Sequence, residues 1–109
     1  MSANRRRGEI AAELDGQTRR LCLTLGALAE LETVYAADDL SALVQRFSSG
    51  KLSATDLIRL IGAGLRGAGA DVSDREVAAM RAERGAAGFA EIAAELLTAT
   101  FGGAAPQNP

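Results

Sequence analysis

One turn signal near the N-terminus constrains the fold of this 109-residue chain more than any other feature. Asp15-Gly16 separates two short segments in which apolar and polar residues alternate, a pattern typical of a two-residue β-hairpin. Counting back from the turn pairs Leu14 with Gln17 and Ile10 with Leu21, so the aliphatic side chains share one face. Two strands alone are unstable in water. Only helical patterns follow, so helices must cover that face.

Five helices are predicted after the hairpin, because apolar residues recur with a helical period and capping residues precede them. Apolar residues span roughly 160° of the third helix, which should therefore be central, with Gly64 permitting close approach of a neighbouring backbone. The predicted fold is helix-dominated α+β, with the hairpin packed on a bundle of about five short helices. The predicted segments are a mobile basic arm (1–8), a single domain (9–102) with a hairpin (9–23) and helices (25–36, 39–48, 54–68, 74–84, 86–101), and a flexible tail (103–109).

The composition argues against an enzyme. The chain has no His, which removes the commonest general base and the commonest transition-metal ligand. Its single Cys excludes an internal disulfide and a multi-Cys zinc site. Cys22 follows the apolar Leu21 on the opposite strand face and has no obvious activating partner, so we expect a structural thiol. No catalytic residue, cofactor or metal site is predicted.

The glycines between Gly62 and Gly67 match the dinucleotide-binding pattern G-x-G-x-x-G letter for letter. That site needs a strand before the glycines and a helix after them. Asp71 and Ser73 leave no helix of useful length after Gly67. The pattern is therefore interpreted as a glycine-rich helix end.

The charge balance of 12 basic and 14 acidic residues gives no overall attraction to nucleic acid or to anionic membranes. The arginines of the arm could touch phosphates or become ordered on a partner, but no aromatic residues lie among them, so a solubilising arm is expected. There is no run of 18 apolar residues and no apolar stretch behind these arginines. Neither a membrane span nor a signal peptide is expected, and the cytoplasm is the expected compartment.

Several blocks of the sequence are similar to a known family. They are Leu-Thr-Leu-Gly-Ala-Leu-Ala-Glu-Leu-Glu (23–32), Leu52–Leu57, Gly62–Gly64 and Val72–Asp74, preceded by Gly8–Ile10 and Leu14–Gly16. From about Gly8 to Gly102 the chain resembles a small protein encoded in the tail-morphogenesis block of gene transfer agents and related phages, upstream of the tape-measure gene. Members of that family are described as tail proteins, sometimes as tail tube components, and are also grouped with tail assembly chaperones.

The resemblance implies either a chaperone or a tail subunit. Tail tube subunits are β-sandwich or barrel rings, which two strands and five helices would build poorly, so a tail assembly chaperone in the bacterial cytoplasm is expected. Such a chaperone binds the long helical tape-measure protein and keeps it soluble until tube subunits polymerise. The alternative is a structural tail component, a tube or terminator-associated subunit retained in the particle tail. A nucleic-acid-binding regulator that uses the basic arm is the third hypothesis.

Surplus apolar surface on the predicted helices is either core or a face for a partner. If a groove binds the tape-measure helix, its candidate residues lie on the third and last helices. These candidates are Leu57, Ile61, Leu65, Leu97 and Phe101. Tail tube subunits and a second copy of the chain are further candidate partners.

Overall fold

The computed structural model describes residues 3–102, in which a two-stranded antiparallel hairpin is followed by five helices. The strands are β1 (Glu9–Leu14) and β2 (Gln17–Cys22). The helices are α1 (Leu25–Tyr35), α2 (Leu40–Ser48), α3 (Ala54–Gly67), α4 (Asp74–Ala78) and α5 (Gly85–Phe101). The predicted helix-dominated α+β fold is confirmed.

The hairpin has the register that the sequence predicts. Leu14 lies opposite Gln17 and Ile10 lies opposite Leu21. Both residues of the Asp15-Gly16 turn have positive φ angles, 54° and 74°, as a type I′ turn requires. The side chains of Ile10, Leu14 and Leu21 are buried on the face that packs against α3 and α5.

Helix α3 is the central helix, in contact with β2, α1, α4 and α5. Burial is continuous from Leu60 to Leu65, which explains why the apolar arc of this helix is so wide. Gly64 permits the predicted close approach, because a Cβ there would lie 2.8 Å from a methyl group of Leu96 and 3.2 Å from the Cβ of Leu21. The hairpin and α5 therefore pack directly on the α3 backbone.

The glycine pattern lies entirely within α3. A Cβ on Gly62 would overlap the carboxylate of Asp74, and one on Gly67 would overlap the carbonyl oxygen of Cys22. These glycines therefore serve helix packing, as the sequence interpretation held.

Helix α4 is shorter than the predicted 74–84 and ends at Ala78. Val77 is its one buried residue, so an additional turn would bury little more apolar surface. The chain that follows is tied to the hairpin turn instead: the Arg81 backbone N–H donates to the Asp15 carboxylate, and the Asp15 N–H donates to the Arg81 carbonyl.

The described part of the arm packs against the domain, and the mobility expected from its polarity stays a prediction. Arg5–Arg7 form a turn of 3-10 helix that contacts α5, and the Arg5 guanidinium lies 2.7 Å from the Glu95 carboxylate. Gly8 turns the chain back with a φ of 79°, and the Glu9 amide donates to the Asn4 carbonyl. The predicted flexible tail, 103–109, lies outside the described residues.

Candidate interaction surfaces

An apolar hollow of about 170 Å³ opens between α3, α4 and the start of α5. Among residues 3–102, no charged residue contributes to its walls. Its floor is Ile61, which is fully buried, and its rim includes the exposed Ala54, Ala78 and Ala86. The residues that line it are Ala54, Leu57, Ile58, Ile61, Val77, Ala78, Met80, Ala86 and Phe89. We call this surface the apolar hollow.

The structure separates the five groove residues that the sequence suggests. Leu57 and Ile61 line the apolar hollow. Leu65 is only 1% exposed and belongs to the core, so it offers no surface to a partner. Leu97 and Phe101 are half-buried on α5, pack against the core, and do not line the hollow.

Sequence reasoning missed the part of the hollow that α4 and α5 contribute. Val77 and Met80 are the large apolar residues of a weak helical pattern, and Phe89 belongs to a strong one. A helix of five residues has too little surface to cover both neighbours, so it leaves an opening between α3 and α5. The weakness of the α4 pattern was the signal that could have indicated this opening.

A buried charge cluster joins α1, α2 and α3 near one end of the helical layer. Asp56 is 3% exposed, and its carboxylate accepts hydrogen bonds from the Tyr35 hydroxyl at 2.5 Å and from the Arg46 guanidinium at 3.2 Å. It also completes a capping box with Ser53 at the start of α3. The Arg46 and Arg59 guanidiniums lie 4.9 and 5.3 Å from the centre of the Tyr35 ring.

This cluster shifts two pKa values in opposite directions. Burial and the hydrogen bond to Asp56 raise the pKa of Tyr35 to about 12. Burial alone would raise the pKa of Asp56, but the hydrogen bonds from Tyr35 and Ser53 and the charge of Arg46 outweigh it and lower that pKa. Both carboxylate oxygens of Asp56 thus have hydrogen-bond partners inside the protein, and the cluster connects three helices.

Arg66 makes a second connection between helices. Its guanidinium pairs with Glu30 of α1 and with Asp74 of α4, the latter at 3.0 Å, and donates to the Val72 carbonyl at 3.0 Å. Burial alone would lower the pKa of Arg66, but these carboxylates outweigh it and raise that pKa. Arg66 therefore ties α3 to α1, to α4 and to the segment that joins α3 and α4.

Cys22 is half-buried, and its thiol lies 3.6 Å from the Arg7 carbonyl. Burial and the neighbouring Glu9 raise the pKa of this thiol, against the opposing charge of Arg7. A raised thiol pKa lowers the thiolate fraction and hence the reactivity.

Among residues 3–102, no three His, Cys, Asp or Glu side chains come together in a way that could hold a metal ion. Within the same part of the chain, no helix has both the length and the apolar composition needed to cross a membrane.

Comparison with known proteins gives a family match that covers nearly the whole chain. Residues 7–103 match the model of a family described as "Phage tail tube protein, GTA-gp10". A comparison with curated proteins gives no match, and neither does a comparison with solved structures.

The match defines the chain as a protein of phage and gene transfer agent tails. Since it spans nearly the whole chain, the protein belongs to the GTA-gp10 phage tail tube protein family. The match and the resemblance noted in the sequence both indicate a tail protein. The family description names a tail tube protein, which favours the alternative of a structural tail component over the chaperone.

Proposed function

We propose that this chain is a structural component of the particle tail and stays in the particle after assembly. The observation that carries the proposal is the family match over residues 7–103, whose description is that of a tail tube protein. The chain would join the growing tail in the cytoplasm of the producing bacterium and would afterwards be located in the particle.

The fold limits how such a component joins its neighbours. In residues 3–102 the sheet has two strands, too few to close into a barrel within one subunit. The apolar hollow offers a different kind of contact. An apolar cavity of about 150 Å³ can hold a benzene ring, so this hollow has room for one Phe or Leu side chain of a neighbouring tail subunit.

Two neighbouring alanines at the start of α5 allow a matched test. Ala86 and Ala87 are both exposed, but only Ala86 lines the apolar hollow. Ala86→Arg should obstruct the hollow without touching the core, while Ala87→Arg adds the same charge beside it. Each variant is expressed in a particle-producing strain, and circular dichroism of the purified chain verifies the fold.

Quantitative mass spectrometry of purified particles then gives the ratio of this chain to the other tail proteins. A structural component shows a fixed ratio, which Ala86→Arg lowers and Ala87→Arg preserves. A wild-type chain that is abundant in the lysate but absent from the particles would contradict the proposal.

A second candidate function is that of a tail assembly chaperone that binds the tape-measure protein. Its support is the helix-dominated fold together with a hollow bounded by three helices, a surface that suits the apolar side chains of an amphipathic helix. Under this hypothesis the chain is absent from particles and keeps the tape-measure protein soluble when the two are co-expressed. Particle stoichiometry and a pull-down of the tape-measure protein therefore separate the two functions.

A further inference from the structure

We propose that copies of this chain associate head to tail, with the free edge of β1 in one copy pairing with the free edge of β2 in the next. The inference rests on the proposed function for its biological setting, a tail built from repeated subunits. Its test uses the isolated chain. The strand pairing can therefore fail while the particle measurement supports the proposed function, and the particle measurement can fail while the strand pairing is observed.

The hairpin leaves backbone groups unpaired on the β1 edge. Leu14 and Gln17 close the two-residue turn and form a hydrogen-bonded pair. In an antiparallel ladder such pairs alternate with pairs whose N–H and C=O groups point outward. On β1 the outward groups belong to Ala11 and Glu13, and within residues 3–102 no hydrogen bond from another segment reaches them. At Glu9 the arm covers the edge, because the Glu9 amide donates to the Asn4 carbonyl.

The β2 edge is open in the same way. By the same alternation, the backbone groups of Thr18 and Arg20 point away from β1. Both residues are exposed, and no backbone contact from elsewhere in the described chain reaches their N–H or C=O groups. The unpaired part of the β2 edge ends at Cys22, whose carbonyl oxygen is in close contact with Gly67. Each edge therefore offers a short template for one more strand.

The two edges carry opposite charges. Acidic side chains surround the β1 edge, where a shallow hollow separates it from α5; they are Glu13, Glu83, Glu91 and Glu95. Two of them are neutralised within the chain, since Glu91 pairs with Arg84 and Glu95 with Arg5. On β2, Arg19 and Arg20 make no ion pair in the part of the chain that the structure describes.

This charge difference favours one arrangement. A symmetric pairing of two β2 edges brings the arginines of both copies together, and a symmetric pairing of two β1 edges brings the acidic surroundings together. In an antiparallel pairing of β1 with β2, Glu13 lies directly opposite or diagonal to Arg20 of the next copy. Such a heterologous contact leaves one edge free at each end, so it propagates into a ring or a filament.

An exchange of charges tests the arrangement. Glu13→Lys makes the β1 edge basic, and Arg20→Glu makes the β2 edge acidic. Each variant alone then opposes like charges, and we expect its association constant to fall about tenfold at low salt. Mixed together, the two variants regain opposite charges at every contact, so association should return to the wild-type level. Sedimentation velocity of the full chain measures the association of each variant and of the mixture.

Two exposed residues away from the hairpin supply controls of equal charge change. Asp38→Lys and Arg75→Glu should leave the association unchanged. A wild-type chain that stays monomeric at its highest soluble concentration overturns the proposal. So does a Glu13→Lys defect that Arg20→Glu fails to rescue, which would show that Glu13 and Arg20 do not face each other across the contact.

Discussion

Asp15 and Arg81 exchange two hydrogen bonds of 2.8 Å across 66 residues of sequence. The Asp15 backbone N–H donates to the Arg81 carbonyl, and the Arg81 N–H donates to the Asp15 carboxylate. The turn of the hairpin is thereby tied to the segment that links α4 and α5. This link limits how far that segment can move, and the same segment borders both hollows.

Replacing Asp15 tests this link. Asp15→Ala removes the acceptor and places Ala at a φ of 54°, where Asp is better tolerated. We expect the free energy of unfolding to fall by about 1–2 kcal/mol, measured by urea denaturation. Asp15→Asn, which keeps an acceptor and tolerates the left-handed region, should cost less than half as much. Equal losses in both variants would show that the carboxylate has another role.

Gly67→Ala should destabilise the domain, because its Cβ would overlap the carbonyl oxygen of Cys22 and a backbone atom cannot move aside easily. The expected cost is about 1–3 kcal/mol. Gly26→Ala is the matched control in α1, where the contact of a Cβ within the described part of the chain is with the Thr24 hydroxyl at 3.8 Å. It should raise stability by up to about 1 kcal/mol through helix propensity. Thermal melting distinguishes the two variants, and similar melting temperatures would contradict the close packing of Gly67 against the Cys22 carbonyl.

Two leucines on α3 should respond differently to the same substitution. Leu65 is 1% exposed, so Leu65→Asp buries an unpaired carboxylate and should unfold the domain. Leu57 is half-buried at the apolar hollow, so Leu57→Asp should leave a folded chain with a lower melting temperature. Circular dichroism shows whether each variant is folded and gives its melting temperature. A folded Leu65→Asp variant would restore Leu65 as a groove residue and contradict its place in the core.

The contrast between these leucines shows where sequence reasoning ends. The hairpin register was predictable, because a two-residue turn fixes which residues face each other, and Ile10 and Leu21 report the buried face. Periodicity also identified α3 as central. It could not divide the apolar arc of α3 between core and surface, because that depends on how much α4 covers. The Asp15–Arg81 link is a tertiary feature with no local signal, and the weak apolar pattern of α4 was the one local indication that this helix is short.

The single tyrosine of the chain allows a direct titration. Burial and the hydrogen bond to Asp56 raise the pKa of Tyr35 to about 12, above its ordinary value near 10. Because the folded-state pKa is the higher one, this contribution to stability is complete below pH 10 and is lost as the pH rises toward 12. Ultraviolet absorbance should show a titration midpoint near 12 in the folded chain. A midpoint near 10, with the fold intact by circular dichroism, would contradict the Tyr35–Asp56 contact.

The place of this protein in the particle is tested most directly by a cryo-electron microscopy reconstruction of purified tails. If the chain is a structural component, the map contains a repeated density that fits a two-stranded hairpin on five helices, with a side chain of a neighbouring subunit in the apolar hollow. A well-resolved tail map that the other tail proteins explain completely, with no density left for this fold, would contradict the account.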